Sequence, residues 1–187
     1  MQIQWGLVMN VEKRRLGETG IEVGRIGISS SFGADVDVYE EALRLGCNFF
    51  TWGTFIKGRS TGFSRFIRKM VAAGKRQDVV IGLLSYSHTV TLGEMFLQSA
   101  LRRLETDYID CLILGYYSRR PPERILEWAR RLKERGVIRA FGMTTHNRNV
   151  VASLAQEQLL DFFHFRYNAV HRGAEREIFP LLPPSRP

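Results

Sequence analysis

The sequence predicts an α/β fold of the (β/α)8, TIM-barrel type, incomplete, with about six strand–helix units present in 187 residues. Three observations carry this expectation. Short runs rich in β-branched or aromatic residues alternate with amphipathic stretches, the pattern of a parallel sheet with right-handed crossovers. Runs such as VVIGLL and CLIL are apolar throughout, as expected for strands covered on both faces. The phosphate loop of the competing architecture, a doubly wound open sheet, is missing: no G-x-G-x-x-G follows the first strand and no G-x-x-x-x-G-K-[ST] occurs anywhere.

Taken in order, residues 1–20 read as an amino-terminal cap. RRLG-TG there suits a hairpin or turn, and MQIQWGLVMNVE reads as a short extra strand or as an over-extended start upstream of Met9. The strands are expected at Val23–Ser29, Cys47–Thr51, Asp78–Leu84, Tyr108–Leu114, Ile138–Met143 and Asp161–Tyr167. The helices are expected at Val36–Leu45, Gly62–Ala73, Leu92–Leu104, Pro122–Arg135 and Asn149–Glu157. Thr91 stands three residues before Glu94 in a capping-box spacing. Pro121 and Pro122 open a helix that Gly136 ends, with Ile125, Trp128 and Leu132 on one face. On the last strand, alternation puts Phe162, His164 and Arg166 on one side and Phe163, Phe165 and Tyr167 on the other. The tail, residues 179–187, holds four prolines in nine residues and reads as a broken-off connection. No linker or composition shift interrupts the pattern, so residues 1–187 are expected to form one domain.

Composition narrows the function. The net charge is +8, and since only five of the 27 basic residues are Lys, 22 are Arg. They are spread as pairs, at Arg14-Arg15, Arg102-Arg103, Arg119-Arg120 and Arg130-Arg131. No basic block and no interleaving of aromatics at a stacking rhythm occurs, so solvated helix faces are favoured over nucleic-acid binding. No apolar run is long enough to span a membrane, and MQIQWGLVMN lacks the pattern of a secretory signal. Cys47 and Cys111 sit in apolar runs and read as buried thiols in a reducing, cytoplasmic setting.

Four stretches together resemble the aldo-keto reductase family. They are Arg14-Arg15-Leu16-Gly17-x-Thr19-Gly20, Gly46-x-Asn48-Phe49-Phe50, Ala100 through Asp110 (ALRRLETDYID), and Tyr167 through Glu177 (YNAVHRGAERE). Each is weak singly; in this order and at these separations they are specific, and they span about residues 13 to 180. The resemblance implies a barrel binding NADP(H) at the carboxyl ends of its strands, and carbonyl reduction by hydride transfer with a tyrosine as proton donor. The developing alkoxide needs an acid within hydrogen-bond reach. A phenol, with an ordinary pKa of about 10, needs a cation beside it and a carboxylate behind it to serve.

The family's Asp, Tyr, Lys and His fall, by this alignment, at Thr51, Ile56, Leu84 and Gly115. Residues 47–77 contain no Asp and residues 76–132 no Lys, so a small register shift does not recover them. Losing one acid–base group typically costs about 10² to 10⁴ in rate; here all four are replaced. The implied cofactor contacts are Thr144 and Thr145, in place of the family's Ser-Asn, and His164, in place of its Gln. Later strands of the family supply an aromatic and a basic loop to the cofactor, and these would lie beyond Pro187.

Other polar and aromatic residues fall at or just past the expected strand ends and are candidates for a pocket: Thr51, Trp52, Tyr86, Tyr116, His146, Arg148 and Arg166, with Tyr117 beside them. One reading is an altered anion or cofactor pocket on Arg148 and Arg166; the other is that these side chains satisfy backbone carbonyls or face solvent. No H-x-x-x-H or C-x-x-C spacing points to a metal, and Ser29-Ser30-Ser31 lacks the nucleophile elbow. The sequence thus leaves two expectations. One is a divergent oxidoreductase of the family, with NADP(H) as cofactor and the standard site missing; the other is a non-catalytic barrel that binds a small-molecule or nucleotide ligand, or a partner. Open sheet edges at the first and sixth strands would favour self-association or a partner chain.

Overall fold

A computed structural model of the chain describes residues 11–53 and 60–182. Two antiparallel strands, β1 (Lys13–Arg15) and β2 (Glu22–Gly24), form a hairpin, followed by six parallel strands in sequential order. These are β3 (Gly27–Ser29), β4 (Phe49–Gly53), β5 (Val80–Ser85), β6 (Ile109–Leu114), β7 (Ile138–Thr144) and β8 (Phe162–His164). The crossovers carry α1 (Val36–Arg44), α2 (Thr61–Ala72), α3 (Val90–Leu104), α4 (Glu123–Glu134) and α5 (Arg148–Glu157); a four-residue turn of helix, α6 (Ala174–Glu177), follows β8. The six strands curl into an incomplete (β/α)8 barrel, as the alternating periods predict.

Three sequence expectations are corrected. The run Val23–Ser29 is not one strand. Val23 and Gly24 belong to the hairpin, and the chain turns before β3; Gly24 has room for no Cβ, with Gly46 O 2.6 Å from where one would sit. The last strand is shorter than Asp161–Tyr167: it ends at His164, and Arg166 and Tyr167 lie in the following loop. The Thr91–Glu94 capping box also gives way to a neighbour. Thr89 is the N-cap of α3 and accepts from the Leu92 amide, while Glu94 takes the indole N–H of Trp128 at 2.8 Å. The proline-opened helix is as expected, with Ile125, Trp128 and Leu132 buried and Gly136 at φ +72°.

Alternation along the strands divides the core. Phe50, Trp52, Ile81, Leu83, Leu112, Phe141 and Met143 pack outward, where Tyr39, Phe63 and Phe66 join them in a cluster of edge-on and tilted rings. Val80, Cys111 and Ala140 face into the curl with Phe49 and Phe162, and the hairpin closes this cluster with Leu16, Ile21 and Val23. Glycines opposite the large rings make the inner packing feasible. A Cβ on Gly82 would lie 3.1 Å from Phe49, and one on Gly142 would lie 2.6 Å from the ring of Phe162.

Polar side chains at three strand starts tie each strand to an earlier one. Asn48 accepts from the Gly24 amide, Asp110 from the Ile81 amide and Asp161 from the Phe141 amide. Asp110 is fully buried and also takes Arg76 and Arg139, each at 2.8 Å. The Arg76 guanidinium further donates to the carbonyls of Val79 and Tyr108 and stacks 4.1 Å over the Tyr108 ring. A hollow of about 740 Å³ opens around Arg76 and Tyr108 at the amino ends of the strands. Barrels of this kind keep function at the carboxyl ends, so this network belongs to stability.

The arginine pairs are solvent-facing but not all helical: Arg14 lies in the hairpin, Arg120 in the loop before α4, and Arg130 and Arg131 on α4. Arg14, Arg120, Arg130 and Arg131 each reach an exposed glutamate. Cys47 and Cys111 are free and buried. Burial, with the Asp110 carboxylate adding to it, pushes the Cys111 thiol far up, so it stays protonated. No described helix is long and apolar enough to cross a membrane.

Candidate functional site at the barrel mouth

The inward-facing rows end at the carboxyl side of the sheet in a shallow mouth. Registry pairs Thr51 with Gly82 and Cys111, and Gly53 with Leu84 and Ile113. Thr144 pairs with His164. Tyr86 and Gly115, one residue past β5 and β6, continue the same inward rows. Thr51, Leu84 and Gly115, the places assigned above to the family's Asp, Lys and His, therefore all point into the barrel. They present a hydroxyl, an isobutyl group and a hydrogen. Gly115 has no room for more: a Cβ there would lie 2.7 Å from both Ser85 O and Tyr86 Cδ1. Ile56 and Phe55, aligned near the family's Tyr, lie outside the described residues.

Three rings cross the mouth. Tyr86 and Tyr116 have centroids 5.1 Å apart, and Tyr116 stacks on His146 at 5.3 Å. Tyr116 is half exposed and adopts φ +32°, a left-handed conformation that a bulky residue rarely takes. Beside them His88 stacks on Tyr117 at 4.5 Å and its Nε2 lies 3.3 Å from Gly115 O, which fixes the turn beneath the rings. The Tyr86 phenol is pushed up to about 12, first by burial, then by the neighbouring Tyr116 phenol. His164 is open to solvent at one side, yet the protein packed around it holds its pKa below the ordinary histidine value, with the His146 imidazole adding a like-charge effect. It is neutral at pH 7.

The other sequence candidates separate. Thr144 is buried beside His164. Thr145 is buried too, and its hydroxyl accepts from the Asn147 amide to shape the turn into α5. Trp52 is packed outward against Phe63, with Arg103 5.6 Å from its ring, and so does not reach the mouth. Arg148 and Arg166 do come together, though not in the barrel interior: with Thr145, His146, Phe165 and His171 they line a separate hollow of about 200 Å³. Arg166 was expected to face inward with His164; because β8 ends at His164, it follows the loop instead. Sequence reading did not connect His171 and Gly173 to this hollow. The basic residues concentrated in Arg166–Arg176 were the available signal.

The described lysines all stand at the opposite end. Lys69 and Lys133 occupy the last turns of their helices and are paired with Glu40 and Asp161, Lys75 follows α2, and Lys13 is in the hairpin. Among the described residues no group of three His, Cys, Asp or Glu side chains is placed to hold a metal.

In fold the chain is similar to aldo-keto reductases. A structure of an aldo-keto reductase from Bacillus halodurans in its holo form superposes with a TM-score of 0.78 at 26% identity, over 92% of this chain and 62% of that one. A thermostable aldo-keto reductase in complex with the inhibitor epalrestat matches with a TM-score of 0.72 at 22% identity, over 89% and 66%. In sequence, an uncharacterized oxidoreductase of Bacillus subtilis, YqkF, is 24% identical over 92% of this chain and 61% of its own length. The chain thus spans about three fifths of the relatives it resembles. No family model matches it.

Proposed function

We propose that this chain is a divergent aldo-keto reductase-type barrel unit that receives a ligand at its mouth and does not perform tyrosine-dependent carbonyl reduction. One observation carries the reading: the inward positions aligned with the family's Asp, Lys and His present a hydroxyl, an isobutyl group and a hydrogen, and Tyr86 beside them is shifted away from the working pH. A proton donor to a developing alkoxide works best with a pKa drawn toward the working pH. Tyr86 is instead held at about 12, first by burial and then by the neighbouring Tyr116 phenol. The Leu84 and Gly115 side chains that face the same space can neither lower that value nor hold an oxyanion.

What remains is suited to binding. The exposed Tyr116 face, backed by Tyr86 and His146, is a stacking platform for a planar ring. Thr144 and the neutral His164, on adjacent strands, can each donate and accept a hydrogen bond. That donor and acceptor set fits a carboxamide, and hence the nicotinamide of NADP(H), the cofactor that the family resemblance implies. When bound, that group would supply or accept a hydride; the chain's part is to seat its ring and orient its amide.

A fluorescence titration with NADPH tests the reading. Saturable binding is expected, weakened about tenfold when Thr144→Val and His164→Phe are combined, as loss of two hydrogen bonds predicts. No binding, or binding indifferent to that double variant, would remove the assignment of the mouth.

A further inference from the structure

The hollow beside α5 adjoins the mouth through His146, outside the inward-facing rows, and its lining is cationic. Thr145, His146, Arg148, Phe165, Arg166 and His171 enclose about 200 Å³. A wider hollow of about 560 Å³ adjoins it, sharing Arg148 and His171 and adding Arg172 and Arg176. Two carboxylates answer this charge: Glu177 takes Arg148 and Glu175 takes Arg172, each at 2.8 Å. Arg166 and Arg176 have no carboxylate within salt-bridge distance among the described residues.

The position of Arg148 is built into the backbone. A Cβ on Gly173 would come within 2.6 Å of Arg148 Cζ and 2.7 Å of its Nε. Gly173 has φ −56°, which any residue adopts, so the glycine supplies space, not conformational freedom. The planar guanidinium lies against that bare backbone while Glu177 fixes its Nε edge. Its remaining N–H groups are the part of the fork that can meet an oxyanion.

We propose that this hollow binds the phosphate group of a small phosphate-bearing ligand, held between Arg148 and Arg166 with His171 at its rim. Two guanidiniums converging on a hollow of this size match the geometry and charge of a phosphate. The ligand would then supply the anionic partner that Arg166 lacks among the described residues. The inference does not rest on what the mouth binds.

Titration of the whole chain with inorganic phosphate, followed by calorimetry and by ³¹P resonance broadening, tests it. Saturable binding is expected, weaker by about tenfold or more in Arg166→Gln, since one charge-assisted contact is lost. Gly173→Ala, which displaces Arg148 without removing it, should weaken binding similarly. Arg25→Gln, on the hairpin and paired with Glu12, should leave it unchanged, as should Thr144→Val at the mouth. Arg166 is exposed and makes no hydrogen bond or ion pair among the described residues, so its variant should keep the parent melting temperature. Absence of saturable binding, or equal weakening by Arg25→Gln, would overturn the proposal.

Discussion

Tyr86 and His164 show how single side chains at the mouth are set by their surroundings. Both are shifted toward their neutral forms, one upward and one downward, because burial disfavours charge of either sign. For Tyr86 the folded value of about 12 lies above the ordinary value of about 10, so its contribution to stability is present below pH 10 and lost as pH rises toward 12. Absorbance titration should show several phenols ionising late, Tyr39, Tyr108, Tyr117 and Tyr167 being raised as well, and Tyr86→Phe should reduce the late amplitude by one phenol. For His164 the folded value lies below the ordinary one, so its contribution is present above about pH 6.5 and lost as the pH falls through the folded value. Melting temperatures from pH 8 to 5 should therefore fall more steeply for the parent than for His164→Gln. Neither shift was legible in the sequence. Alternation gave the inward side of His164, but the approach of Tyr86 to Tyr116, and of Tyr116 to His146, depends on turns after three different strands.

At the scale of elements, the network at the strand starts is the strongest test of how the barrel is held. Asp110 is buried with two arginines and one backbone amide. Asp110→Ala would leave Arg76, itself buried, without its carboxylate, and should cost about 3–5 kcal/mol by chemical denaturation. Thr89→Ala removes only the cap of α3 and should cost about 1 kcal/mol. Most elements were readable from periodicity, because helices α1 to α5 each bury one stripe and β5 and β6 are buried on both faces. The misread ones have physical causes. Val23 to Ser29 is one apolar-looking run, yet the hairpin needs Val23 to close the inner cluster, and the chain must bend before β3. The Thr91–Glu94 spacing was a fair capping signal, but Thr89 was better placed and Glu94 was required by Trp128.

At the scale of the whole molecule, the sheet has two open sides. Among the described residues β3 and β8 each pair with a single neighbour. Ile26 and Phe32 are exposed near the first, and Val170 and Phe179 near the second. We propose that these edges pair with another chain, since unpaired strand edges and exposed apolar groups recruit partners. Light scattering across a concentration series should show a mass that grows with concentration; a stable monomer throughout would contradict this.

The motifs that carry the family resemblance map onto this architecture in a consistent way. Leu16 and Thr19 shape the hairpin turn, Asn48 and Asp110 bond to the backbone of earlier strands, and Glu175 and Glu177 hold the loop arginines. These are scaffold roles, which explains why the fold is readable from residues that lie outside the mouth. On the proposed reading the mouth does not reduce carbonyls through a tyrosine. Oxidation of NADPH, followed at saturating cofactor with a panel of aldehydes and ketones, tests this directly. No turnover above the protein-free rate is expected, and no difference between the parent and Tyr86→Phe. Turnover above that rate, abolished by Tyr86→Phe, would contradict it.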